Sequence, residues 1–269
     1  MSVQRIREAQ VEWVRERLLV RDWQILAAVN ELRLLSGQQI ERLFFSDLAQ
    51  GRSRIASRSR VLQRLVAWRV LTPLPRRIGG AGRGSTALAF ALDSIGQRLM
   101  RERLLTADTP PRVRRPGLPT ERTVRHILAV SEACISLSEL AREQDFAVEE
   151  FHAEPGSWWS DGLGSWLKPD AYARLARRGV RDHWWLEIDL ATESLPAFSR
   201  QLETYLDFLN RGQLGPGKIM PRVAIATTTP GRHAAITAVV NRLPQPAIGL
   251  FSIVQTHELA SVMYEVLRE

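Results

Sequence analysis

Apolar residues recur at helical spacing in three successive stretches of the first third of the chain. In RDWQILAAVNELRLL they fall at 23, 25, 26, 29, 32 and 35, with Asp22 placed as the N-cap. SGQQIERLFFSD follows, with Ser36 as cap and Ile40, Leu43 and Phe44 as its stripe. RIASRSRVLQRLVAWRVL turns Leu62, Leu65, Val66 and Val70 inward and leaves Ser57, Arg60 and Arg64 on the other side. The period then changes. LTPLPRRIGGAGRGSTALAFAL holds two β-compatible runs around the tip GGAGRG, a hairpin signal, and DSIGQRLM predicts a short closing helix.

The second half alternates the two periods. ERTVRHILAVSEACISLSELAREQ predicts a long amphipathic helix, and FAVEEFHAEPGSWW a strand. LKPDAYARLARRGVRDHWWLEIDLATES predicts two antiparallel strands joined at RRGVRD. LPAFSRQLETYLDFLN predicts a helix, RVAIATTT an apolar central strand, GRHAAITAVVNRL a helix, IGLFSIVQT a strand and HELASVMYEVL a last helix. The order α-β-β-β-α-β-α-β-α predicts a mixed sheet with helices on both faces.

Between the halves, TADTPPRVRRPGLPTERT shows neither period and is rich in proline and arginine. It predicts a linker over 106–123 that separates domains 1–105 and 124–269, and a tether is favoured over a phosphate-contacting strap. Charge follows the same division. Residues 1–110 hold 19 basic and 10 acidic residues, whereas 126–269 hold 13 and 18. The basic first part is thus the candidate for a polyanionic partner. Lys168 and Lys218 are the only lysines, so the basic character is carried by arginine.

Composition excludes several classes. No apolar run is long enough to cross a membrane, and the charged start MSVQRIREAQVEWVRERLLV does not read as a secretory signal. Cys134 is the one cysteine and sits in a helical pattern, which predicts a buried thiol, no internal disulfide and a cytoplasmic protein. The five histidines have no zinc-site spacing, and GGAGRG lacks the Lys-Ser/Thr of a phosphate loop. His183 is expected as a strand residue. The tryptophans at 158, 159, 166, 184 and 185 are expected to pack, with base stacking as the other use.

Three helices and a basic hairpin predict a winged helix-turn-helix on double-stranded DNA. Arg54, Arg58, Arg60 and Arg64 on the third helix are candidates for base edges or phosphates, and Arg76, Arg77 and Arg83 on the hairpin for backbone or minor groove. A protein-contacting wing is the other reading. Paired half-sites on DNA would favour a homodimer.

The acids carry the remaining chemistry. Asp170 follows Pro169, and Glu187 and Asp189 share one face of a strand. Such carboxylates suit Mg²⁺ or Mn²⁺. The spacing resembles the PD-(D/E)xK site of restriction-endonuclease-like domains, and QLETY, Gln201 to Tyr205, resembles the Gln-x-x-x-Tyr helix of RecB-type nucleases.

From RDWQIL to RQLETYLDFL, about residues 20–210, the chain resembles the replication-relaxation family of bacterial plasmids and integrative elements. The stretches that carry this are the winged block, HILAVSEACISL, LKPDAYARL, WWLEIDLATES and the QLETY helix. The resemblance implies an α/β chain with a winged unit followed by a nuclease-like unit. It also implies a role in replication, relaxation or mobilisation, with replication or conjugation proteins as partners. The lysine position of the motif holds Asp189, and an aspartate cannot replace an ammonium. Lys168 is the one relocated lysine available as a catalytic residue beside Asp170 and Glu187. Metal binding by Asp170, Glu187 and Asp189 is favoured over catalysis, so a DNA-binding protein with an inactive nuclease-like unit is expected. A metal-dependent endonuclease or nickase and a protein–protein adaptor are the alternatives.

Overall fold

The computed structural model describes residues 7–74, 88–104 and 119–269. It divides into two compact units, 1–131 and 132–269. The hairpin tip and most of the 106–123 stretch lie outside the described residues, and with them Arg76, Arg77 and Arg83.

The first unit runs α1 (Glu8–Arg15), α2 (Val20–Leu32), β1 (Leu35–Ser36), α3 (Gly37–Phe44), α4 (Arg52–Ala67), β2 (Leu71–Pro73), β3 (Ala89–Leu92) and α5 (Ser94–Leu104). It closes on the first half of α6 (Glu121–Glu143), and the division between units falls within that helix. Strands β1, β3 and β2 form a small antiparallel sheet, with Leu71 opposite Leu92. Ile25, Leu26, Val29, Ile40, Leu62, Leu65 and Phe90 are buried, as the periodicity predicts. Ser36 caps α3 as expected: its hydroxyl accepts from Gln39 N at 3.1 Å, and Gln39 Oε1 accepts from Ser36 N at 3.0 Å. Asp22 is not the N-cap of α2. The helix begins two residues earlier, and Asp22 reaches back to accept from Leu19 N at 2.9 Å. Gly96 lets α5 rest on the turn between α4 and β2, since a Cβ there would lie 2.2 Å from the Val70 carbonyl oxygen.

Along α6, Val124 and Ile127 pack with Leu34 and Ala91, and the Ser131 hydroxyl donates to Leu34 O at 2.9 Å. Cys134, expected buried, is half-buried in this helix.

The second unit continues with β4 (Ala147–Ala153), the short hairpin β5 (Trp159–Ser160) and β6 (Trp166–Leu167), β7 (Ala171–Arg177), β8 (Val180–Asp189) and α7 (Leu195–Asn210). Then come β9 (Arg222–Thr227), α8 (Pro230–Val240), α9 (Ala247–Leu250), β10 (Phe251–Gln255) and α10 (Leu259–Arg268). Five strands lie in the order β10-β9-β8-β7-β4. β8, β9 and β10 are parallel, and β4 and β7 are antiparallel to their neighbours, so the sheet is mixed as predicted. The centre is β8, not RVAIATTT, which stands one place aside as β9. Both are covered on both faces: residues 183–189 of β8 and 223–227 of β9 are buried without interruption. Trp185 packs with Tyr205, Phe208, Val223 and Ile236 on the face of α7 and α8. Trp184, Leu186 and Ile188 are buried on the other face. Among the described residues no helix is long and apolar enough to cross a membrane.

Candidate functional site

Asp170 and Glu187 come together because their strands pair. Ala171 lies opposite Leu186, which sets Asp170 at the start of β7 beside Glu187 on β8. Asp170 Oδ2 accepts from Ile188 N at 2.7 Å. Glu187 is buried, and each oxygen has a donor from one face of α7. Gln201 Nε2 donates to Oε2 at 2.8 Å, and the Tyr205 hydroxyl donates to Oε1. Positions 201 and 205 are one helical turn apart, so both side chains meet one carboxylate. Ser194 starts this helix by accepting from Ala197 N at 3.4 Å, and Leu202, Leu206 and Phe208 hold it on the sheet.

Burial pushes the Glu187 carboxyl well above the usual carboxylate range, and the charge of Asp170 acts in the same direction. The hydrogen bonds from Tyr205 and Gln201 oppose the shift. Burial likewise raises the Tyr205 hydroxyl, with the Glu187 charge next in importance. Further along this face the Tyr172 hydroxyl and His183 Nδ1 lie 2.7 Å apart, so His183 is a strand residue inside a hydrogen-bonded pair. Burial pushes Tyr172 up to about 12 and lowers His183.

Asp189 is held differently. Arg232, in the first turn of α8, donates from Nε to Oδ2 at 2.6 Å and from Nη2 to Oδ1 at 3.0 Å. The same Nη2 also donates to Glu193 O at 3.0 Å. Both partners are buried to about nine-tenths, with side-chain exposures of 12% and 3%. Arg174 pairs with Glu149 and Glu150. Lys168 is exposed, with its ammonium 5.1 Å from the Trp158 ring centroid. The acids expected to act as three are therefore a facing pair, Asp170 and Glu187, plus an aspartate whose two oxygens are bound by an arginine. Among the described residues no three His, Cys, Asp or Glu side chains are grouped to hold a metal. Asp170 and Glu187 are the two residues here that could hold a cation between them. Two carboxylates with water completing the shell would suit Mg²⁺, and a cation would offset the Asp170 charge that adds to burial in raising Glu187.

Sequence reasoning missed Arg232. The signal was there in weak form: β9 lies parallel to β8 with Thr227 opposite Asp189, and GRH opens the helix just beyond β9.

In the first unit the α4 arginines separate into two sets. Arg54 is buried, donating from Nη2 to Glu41 O at 3.1 Å, and Arg58 Nη1 donates to Glu41 Oε2 at 2.8 Å. Arg64 Nη2 lies 2.6 Å from both oxygens of the buried Asp22. Arg60 is exposed. Arg52, Ala56 and Gln63 are exposed with it and Ser59 is half-exposed, a single stripe at helical spacing without an acid. The sequence reading had not named Arg52 or Gln63.

Compared with known proteins, residues 26–223 match the family model described as replication-relaxation. No curated protein and no solved structure matches the chain.

Proposed function

Since this chain belongs to the replication-relaxation family, we propose that it is a DNA-binding protein of a mobile genetic element, acting in plasmid or element replication, relaxation or mobilisation. The first unit is read as a winged helix-turn-helix that sets α4 in the major groove of double-stranded DNA, with the β2–β3 hairpin as its wing. The observation that carries this is the outward face of α4. Arg52 and Arg60 stand there for phosphates or guanine edges, Gln63 for an adenine edge, and Ala56 and Ser59 allow close approach. Arg54, Arg58 and Arg64 act from behind, fixing α4 on Glu41 and Asp22. Two copies on paired half-sites would act as a homodimer.

The second unit is read as a restriction-endonuclease-like domain without catalysis. Its lysine position is an aspartate neutralised by Arg232, and an arginine that stays charged is a poor proton acceptor. Lys168 stands over an aromatic ring. The second reading, a metal-dependent endonuclease or nickase, is favoured by the Asp170–Glu187 pair with Gln201 and Tyr205. In that case Asp170 and Glu187 hold Mg²⁺ or Mn²⁺, which would polarise a phosphate.

Incubating the protein with supercoiled plasmid in Mg²⁺, Mn²⁺ or EDTA, and deproteinising half of each sample, tests both. A mobility shift without cutting is expected. Nicked or linear product that needs metal and is lost in Asp170→Ala/Glu187→Ala would establish the second reading. In a salt titration of duplex binding, Arg60→Ala should reduce the slope by about 0.9 for its one phosphate. A slope near zero in the unaltered protein would remove DNA as partner and leave a protein–protein adaptor.

A further inference from the structure

The β5–β6 hairpin projects just before Asp170, and the segment 166–170 alternates in burial. Leu167 and Pro169 are buried, Trp166 and Lys168 are exposed, and Asp170 is half-exposed. That alternation leaves Trp166, Lys168 and Asp170 on the more exposed side of the segment, which begins as strand at Trp166–Leu167. The inward side is firmly held. Leu167 joins the main apolar cluster, the Ser157 hydroxyl donates to Pro169 O at 2.6 Å, and Trp159 Nε1 donates to Leu214 O at 3.0 Å. The tip is built by Asp161, whose Oδ1 accepts from the N–H groups of Leu163 and Ser165, both at 2.9 Å. The negative charge there is met by Arg211, with Nη1 3.4 Å from Asp161 Oδ2.

The hairpin thus presents an indole ring that is 56% exposed, then an ammonium that stands over the Trp158 ring, and it leads to the carboxylate pair. We propose that this row is a binding track for single-stranded DNA, with a base stacked on Trp166 and a phosphate at Lys168. Aromatic faces stack on any base, and a neighbouring cation supplies the backbone contact, which is the chemistry of sequence-tolerant single-strand binding. Duplex DNA keeps its bases inside the stack and offers Trp166 no face. The inference rests on the nucleic-acid reading of the chain but not on α4, so the two fail separately.

The test is fluorescence anisotropy of the full chain with labelled oligothymidylate and, separately, labelled duplex. Trp166→Ala should weaken oligothymidylate binding about tenfold, the effect of losing one stacked base. Trp166→Phe should keep most of the affinity, because a ring remains. Lys168→Ala should lower the single-strand salt slope by about 0.7. Thermal melting of each variant reports that it is folded. Trp166→Ala should bind duplex as the unaltered protein does, and Arg60→Ala should lose duplex affinity but keep oligothymidylate. No oligothymidylate binding by the unaltered protein, equal binding by folded Trp166→Ala, or loss of single-strand binding with Arg60→Ala would each overturn the proposal. Altered sedimentation of Trp166→Ala with unchanged oligothymidylate affinity would assign the row to self-association instead.

Discussion

Replacing Arg232 by methionine removes the cation that neutralises Asp189 while keeping an unbranched, apolar side chain. Asp189 would then be a buried carboxylate without its two donors at 2.6 and 3.0 Å, and Glu193 O would lose its Nη2 donor. Breaking one side of a buried pair costs about 3–5 kcal/mol, because the surviving charge is left desolvated and unpaired. For a unit of this size, at about 3–5 °C per kcal/mol, the melting temperature should fall by about 10–25 °C. Removing both partners, Asp189→Leu with Arg232→Met, should restore most of the loss, since a buried pair is worth little against apolar residues of similar volume. Chemical denaturation of the four proteins at neutral pH, read by tryptophan fluorescence, closes the double-mutant cycle. A single-variant cost below about 1 kcal/mol, with effects that simply add in the double variant, would refute the claim that Arg232 and Asp189 form one buried unit. It would also return Asp189 to the cation ligands.

Glu187→Gln should gain stability over the unaltered protein as pH rises through the raised Glu187 pKa, because the carboxyl must then ionise against burial and the charge of Asp170. Its protonated form is the one the fold favours. That stability is therefore complete below the ordinary carboxylate pKa and lost as pH rises through the raised one, so the gain from Glu187→Gln should vanish in acid. Denaturation midpoints across pH check this, and a gain that persists unchanged in acid would contradict it. Arg64→Ala should destabilise the first unit by about 2–5 kcal/mol by leaving Asp22, 1% exposed, without its cation, whereas Arg60→Ala should leave stability within about 0.5 kcal/mol. Equal thermal shifts for the two would show that the inward and outward arginines are wrongly divided. Gly96→Ala should cost more than about 1–3 kcal/mol, because its Cβ meets a backbone carbonyl oxygen at 2.2 Å. A melting curve indistinguishable from that of the unaltered protein would contradict so close an approach.

Much of the architecture was legible before folding. Apolar spacing of 3.6 and 2 residues marks α2 to α4 and the strands of the mixed sheet, and the Ser36–Gln39 capping box is written in four consecutive residues. Two-residue spacing put Glu187 and Asp189 on one face, and four-residue spacing did the same for Gln201 and Tyr205. These are local rules, and local sequence satisfies them.

What a side chain does on its face was not local. Asp189 looked like a third metal ligand until Arg232, 43 residues away, was brought to it by the parallel pairing of β8 and β9. Arg54, Arg58, Arg60 and Arg64 look alike along α4, and only the positions of Glu41 and Asp22 on other helices separate the inward three from the outward one. RVAIATTT is as apolar as a central strand should be, yet sheet order gave the centre to β8. The sequence by itself determined most of the elements, their order and, for Glu187 with Asp189 and Gln201 with Tyr205, which residues share a face, because these depend on backbone periods of a few residues. Tertiary structure alone decided which charges are neutralised and which carboxylate is driven towards its protonated form, because electrostatics in a low-dielectric interior depends on distances between residues far apart in the chain.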